Sequence, residues 1–196
     1  MSATQAMLLT GCGSGIGRHL ARALSARGHR VLATDVDEGG LAALAGMATR
    51  RLDVRSASDW EAAMDAAEAA FGPVDVVMNI AGALRPGYVH EITEGDIDLH
   101  LDVNTKGLIL GTRAAARRMI PRKSGHIVNF GSLASLAAVP GLSLYTASKF
   151  AVRGFTLSVA TELAEHGVAV SLIMPDAVQT PMLDLQASFE EAALTF

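Results

Sequence analysis

The chain has a single cysteine, Cys12, so no internal disulfide can form, which fits a reducing compartment. Cys12 reads either as a small filler in a glycine-rich loop or as a reactive thiol. No apolar run approaches the ~20 residues of a membrane span. The opening Met1-Ser2-Ala3-Thr4-Gln5 lacks the basic and apolar regions of a signal peptide. No block of like charges suggests a tail, and a net charge of −4 argues against nucleic acid and anionic membrane surfaces. His19, His100 and His166 have no partners at metal-ligand spacing, so they read as surface or packing residues and no metal site is expected. There is no repeat, linker or low-complexity segment. A soluble, cytoplasmic protein is the expectation.

What is present is 196 residues, half of them hydrophobic, enough for one α/β domain over residues 1–196. Short apolar runs alternate with helical patterns, the signature of βαβ units. Strands are expected over residues 6–9, 31–34 (closing on Asp35), up to Leu52-Asp53-Val54, 74–78, 126–130 and 168–173. Helices are expected over 16–26, 41–47, from a Ser58/Glu61 capping box to Phe71, over 97–119 and over 144–165. Right-handed crossovers then give a doubly wound parallel sheet, a three-layer Rossmann fold of strand order 3-2-1-4-5-6.

Two features carry chemistry. Thr10-Gly11-Cys12-Gly13-Ser14-Gly15-Ile16-Gly17 follows a strand and opens a helix. Gly11 turns the chain, Gly15 and Gly17 admit a pyrophosphate, and the amides after Ser14 and Ile16 point at it. Asp35, 18 residues past Gly17, is placed to accept from ribose hydroxyls and to repel a 2′-phosphate. No cation at Val36, Cys12, Gly13 or Ser14 offsets it, so NAD is expected over NADP, while Asp37 and Glu38 read as surface charges. The second feature is Tyr145 and Lys149, which share one helix face at i and i+4.

These residues, with Asp53-Val54, Asn79-Ile80-Ala81-Gly82, Asn104, Ser132 and Thr180-Pro181-Met182, resemble the short-chain dehydrogenase/reductase family over essentially the whole chain. The resemblance implies an NAD-dependent oxidoreductase acting on an alcohol or ketone. Tyr145 would be the general acid/base, its pKa of ~10 lowered by Lys149 and by the positive nicotinamide ring. Lys149 would also hold the nicotinamide ribose, Ser132 the substrate oxygen, and Asn104 a water relaying protons from Lys149. Asp53 and Val54 would meet adenine. Asn79, Ala81 and Gly82 would border the cofactor, and Thr180 would meet the carboxamide.

Leu133, Ala134, Leu142, Ala177, Met182 and Leu183 should line a mainly apolar substrate pocket. Arg85 reads as loop-exposed or, with Tyr88, as meeting a polar group; Ser135, Ser143 and Ser148 read as ordinary polar positions. The chain departs from the family in having Pro175-Asp176 where Pro-Gly is usual. The family continues with another helix and a seventh strand, and Phe196 falls inside that region. Broad apolar surface on the helices over 97–119 and 144–165 suggests a homodimer or homotetramer. Residues 176–196 should form a lid, with 188–194 weakly helical. Two other functions fit the same residues. One is an NAD-binding regulatory or scaffold protein with little turnover. The other is an epimerase or dehydratase, which needs a longer substrate domain.

Overall fold

A computed structural model describes residues 3–187. Six parallel strands form one sheet in the order β3-β2-β1-β4-β5-β6. They are β1 (Ala6–Leu9), β2 (Arg30–Asp35), β3 (Ala48–Arg51), β4 (Val76–Asn79), β5 (Gly125–Phe130) and β6 (Val168–Ile173). The helices are α1 (Gly15–Ala26), α2 (Glu38–Ala42), α3 (Ala57–Phe71), α4 (Glu94–Leu99), α5 (Leu108–Met119), α6 (Ser143–Ala164) and α7 (Pro181–Ala187). A π-helical stretch, His100–Gly107, joins α4 to α5.

Side chains alternate across the central strand, as strand geometry requires. Met7 and Leu9 pack with Ala21 and Leu41 on the α1/α2 face. Leu8 packs with Trp60, Met64, Ala115 and Val159 on the opposite face, which α3, α5 and α6 cover. All four β1 residues are buried. Burial on both faces makes the sheet the middle of three layers. The strand order reverses direction between β1 and β4, and a crevice opens beyond the carboxyl ends at such a point.

Several boundaries differ from the sequence expectation. β3 stops at Arg51, before Leu52-Asp53-Val54, and its four residues are exposed. An edge strand needs no apolar run, and its two arginines blunt the free edge. The helix expected over 41–47 is the short α2, begun by Asp37 and Glu38; Gly46, at φ 84°, turns the chain toward β3. α3 is capped by Ser56 rather than Ser58: Ser56 Oγ accepts the Asp59 N–H at 3.2 Å, and the Asp59 carboxylate also takes the Asp53 N–H at 3.0 Å. β4 begins two residues later than expected, at Val76. The long helix begins at Glu94 instead of Ile97, through a capping box of Thr93 and Asp96. The expected helical tendency of 188–194 lies outside the described residues.

Candidate active site

The carboxyl ends of the strands open into one cleft of ≈ 740 Å³. Its first wall is the glycine turn. Gly11 sits at φ 70°, and a Cβ there would lie 2.8 Å from Ala81 Cα, so only glycine lets β1 turn against the end of β4. A Cβ on Gly17 would overlap the Gly11 carbonyl. Ser14 caps α1 without a side-chain hydrogen bond, and the first turn carries no acidic residue. The positive end of α1 and its first amides therefore meet the cleft at Ser14, Gly15, Ile16 and Gly17.

Asp35 closes the next edge. Its Oδ2 accepts the Gly13 N–H at 2.7 Å and its Oδ1 the Asp37 N–H at 2.9 Å. A carboxylate has further lone pairs to offer a ligand. Asp53 and Val54 also line the cleft. Arg55, which sequence reasoning missed, grips Asp53 through Nε at 2.9 Å and Nη2 at 2.7 Å. Those bonds hold the Asp53 carboxyl below its usual range. The signal was there in the Asp-Val-Arg spacing of a loop, since a long guanidinium two residues on can reach back.

At the other end, α6 presents Tyr145 and Lys149 on one face. Lys149 Nζ stands 5.6 Å from the Tyr145 ring centroid and donates to the Phe130 carbonyl at 2.9 Å. Lys149 is 4% exposed, and burial pulls its ammonium down to about 8. Burial also pushes the Tyr145 phenol up, opposed by a hydrogen bond with Ser132. Among the chain's own groups the expected lowering of the phenol by Lys149 is therefore not met. Desolvation outweighs a cation that is itself turned to a carbonyl.

Ser132 opens a 3₁₀ turn, Leu133–Ser135, and its Oγ accepts the Ala134 N–H at 3.1 Å while remaining beside Tyr145. Ser135 is fully buried and donates to the Ser132 carbonyl at 2.7 Å, so it is a strut of this turn rather than an ordinary polar position. Asn104 lies in the π-helical stretch, a feature frequent at functional sites. Its Oδ1 accepts the Ala83 N–H at 2.7 Å, and its Nδ2 donates to the Ala83 carbonyl at 2.9 Å and to Ser148 Oγ at 3.0 Å. Ser148, also buried, donates on to the Tyr145 carbonyl at 2.7 Å. Gly82 lies between these groups: a Cβ there would stand 3.5 Å from Asn104 Oδ1 and 3.7 Å from Lys149 Nζ.

Asn79 is a correction. It is buried and its Nδ2 donates to Asn129 Oδ1 at 2.8 Å, away from the cleft that Ile80, Ala81 and Gly82 line. Asn129 in turn donates to Thr156 Oγ1 at 3.1 Å, so the Asn79 side chain ties β4 to β5 and α6. Thr180 arrives from the far side, where its Cγ2 would be 3.3 Å from a Cβ on Gly15.

The six apolar residues expected around the substrate all line the cleft. Leu84 and Val139, which no spacing signalled, join Leu142, Tyr145 and Met182 in one cluster there. Arg85 stays outside: its Nη1 pairs with Asp96 at 2.6 Å, and its backbone N–H donates to Nε2 of the buried His100 at 3.1 Å. No group able to hold a metal ion occurs among the described residues, and no described helix is long and apolar enough to cross a membrane.

Known proteins resemble this arrangement over nearly its full extent. The short chain dehydrogenase family matches residues 5–191. A 3-alpha-(or 20-beta)-hydroxysteroid dehydrogenase of Mycobacterium tuberculosis is 40% identical over 182 residues, covering 90% of this chain and 70% of that protein. Momilactone A synthase of Oryza sativa is 36% identical, covering 95% and 71%. A short-chain dehydrogenase/reductase from Burkholderia phymatum, solved in complex with NAD, superposes with a TM-score of 0.87 at 34% identity, covering 94% of this chain and 70% of that one. Levodione reductase superposes with a TM-score of 0.89 at 28% identity, covering 98% and 78%. A sheet order, glycine turn and whole-length likeness that agree in this way place the chain in the short-chain dehydrogenase/reductase family of oxidoreductases.

Proposed function

We propose that this oxidoreductase moves a hydride between NAD(H) and a hydrophobic alcohol or ketone, with Tyr145 as general acid/base. One observation carries the reading. The Tyr145 and Ser132 hydroxyls meet above a buried Lys149 at one end of a cleft whose other end is an uncapped helix N-terminus beside Asp35.

The residues fit a nicotinamide dinucleotide. The close approach at Gly11 and Gly17 and the free amides of α1 suit a pyrophosphate. Asp35 accepts from ribose hydroxyls and repels a 2′-phosphate, which favours NAD. Asp53, Val54, Ala81 and Gly82 flank the adenosine and ribose portions, and Thr180 clasps the carboxamide from across Gly15. When bound, the nicotinamide ring accepts or gives the hydride. Ser132 Oγ donates to the substrate oxygen, and Tyr145 Oη takes its proton or returns it. Lys149 favours the phenolate form of Tyr145, which takes the alcohol's proton in oxidation and is left when a ketone receives the proton in reduction, and holds the nicotinamide ribose. Asn104 fixes Ala83 and, through Ser148, the turn bearing Tyr145; a water held beside it would pass protons from Lys149. The cluster of Leu84, Val139, Leu142 and Met182 supports an apolar substrate. Phe150 and Leu157, exposed on α6, support association of copies of the chain.

The test is a panel of alcohols followed by NADH absorbance, with Tyr145→Phe beside wild type. The variant should lose roughly 10²–10⁴-fold in turnover and keep its NAD affinity. Turnover within tenfold of wild type, ~1.4 kcal/mol of barrier, would refute the role of Tyr145. NAD binding without turnover on any alcohol would point instead to a regulatory or scaffold protein.

A further inference from the structure

The cleft holds three carboxylates, and two of them are engaged. Asp35 accepts from Gly13 and Asp37, and Asp53 is gripped by Arg55. Asp176, where the family usually has glycine, also lines the cleft, yet it makes no hydrogen bond or ion pair with the described residues. The two cations of the lining are committed elsewhere, Arg55 to Asp53 and Lys149 to the Phe130 carbonyl.

The segment's anchors fix where this carboxylate stands. The Pro175 carbonyl accepts the Leu133 N–H at 3.0 Å, immediately beside Ser132. Four residues beyond Asp176, Thr180 packs on Gly15. Asp176 thus belongs to the end of the cleft where Ser132 and Tyr145 lie, and no donor among the described residues is bonded to its carboxylate. An unpaired carboxylate there favours a cation. A hydrophobic alcohol or ketone brings none, whereas the nicotinamide ring is positive when oxidised and neutral when reduced.

Resting on the NAD(H) reading above, we infer that Asp176 makes the site discriminate between the redox forms of its cofactor, raising affinity for NAD relative to NADH. The interaction is that of two unit charges in a partly solvated site, which sets its size at about threefold to fivefold in the ratio of dissociation constants. It should shrink as ionic strength rises. Asp176 is exposed, so its replacement leaves the packed core untouched.

The experiment measures binding rather than turnover. NADH is titrated by its own fluorescence and NAD by calorimetry, for wild type, Asp176→Asn and Asp176→Gly, at low and high salt. Both variants should bind NAD about threefold to fivefold more weakly, with NADH affinity unchanged and the difference reduced in high salt. An unchanged ratio in variants that bind both forms would overturn the role of Asp176 and leave the NAD(H) reading standing. Wild type that binds neither form would overturn both. Unchanged cofactor binding with selective loss of amine-bearing alcohols would show that the carboxylate serves a cationic substrate, and would also overturn the inference.

Discussion

Lys149→Met removes the ammonium while nearly keeping the side chain's length, and its effect on stability follows from burial. The ammonium titrates near its ordinary 10.5 in an unfolded chain and near about 8 in the fold. Between those values the unfolded chain binds more protons than the folded one, so Lys149 makes wild type more stable as pH rises. At 1.36 kcal/mol per unit, the full effect is about 3 kcal/mol, and the part between pH 8 and 10 is about 2 kcal/mol.

Other groups run against this trend and must be subtracted. The Cys12 thiol is pushed from 9.0 up to about 12 by burial, so its contribution falls as pH rises above 9. The Tyr145 phenol is also raised by burial, and its contribution falls above 10. Both groups persist in the variant, and the difference between the two proteins isolates Lys149 below pH 10. The bond to the Phe130 carbonyl, worth about 1–3 kcal/mol, is also lost in the variant, and because it weakens as the nitrogen loses its charge, part of it lies within the same pH-dependent difference. Urea unfolding followed by circular dichroism at pH 8, 9 and 10 gives the curve. Wild type should gain about 2 kcal/mol on Lys149→Met across that range. A level difference would show that Lys149 is not held desolvated by the fold, and the account of its low pKa would fail.

Asp35→Ser with Val36→Arg should shift cofactor preference toward NADP, because it exchanges a carboxylate for a cation at the ribose edge of the cleft. Comparison of NAD and NADP dissociation constants checks this, and wild type that already binds both equally would refute it. NAD should slow amide hydrogen exchange in residues 177–185 more than in the sheet, since Thr180 already rests on Gly15. Equal exchange with and without NAD would remove Thr180 from the cofactor contacts.

What the sequence revealed and concealed divides along the range of the interactions. β1 was legible to the residue because a continuous apolar run marks a strand buried on both faces, and β6 because its β-branched, largely apolar run is bounded by Gly167 and Pro175. β3 was not, because an exposed edge strand carries no apolar pattern. The choice between Ser56 and Ser58 as a cap was undetermined locally, since each is followed three residues later by an acid. It is settled by the Asp59 carboxylate, which also holds the Asp53 N–H on the preceding loop. Thr93 and Asp96 form a capping box that places the helix start at Glu94, ahead of the apolar pattern, which begins only at Ile97.

The same division explains the site. Tyr145 and Lys149 are paired by helix geometry alone, so their spacing was sufficient. Asn79 and Asn104 looked alike as polar residues near cofactor segments, and only tertiary packing separates them. Asn79 meets Asn129 across 50 positions and becomes a tie within the core. Asn104 meets Ser148 across 44 positions and joins the π-helical stretch to α6 at the turn that carries Tyr145. Ser148 reads as an ordinary polar residue in the sequence because its partner, Asn104, lies on another helix. Its place between Tyr145 and Lys149 has a physical consequence. The helix that carries Tyr145 and Lys149 is fastened at that point to Asn104, and through Asn104 to Ala83 on the opposite lip of the cleft. Geometry at the Tyr145 hydroxyl therefore depends on a buried amide that need not touch substrate at all.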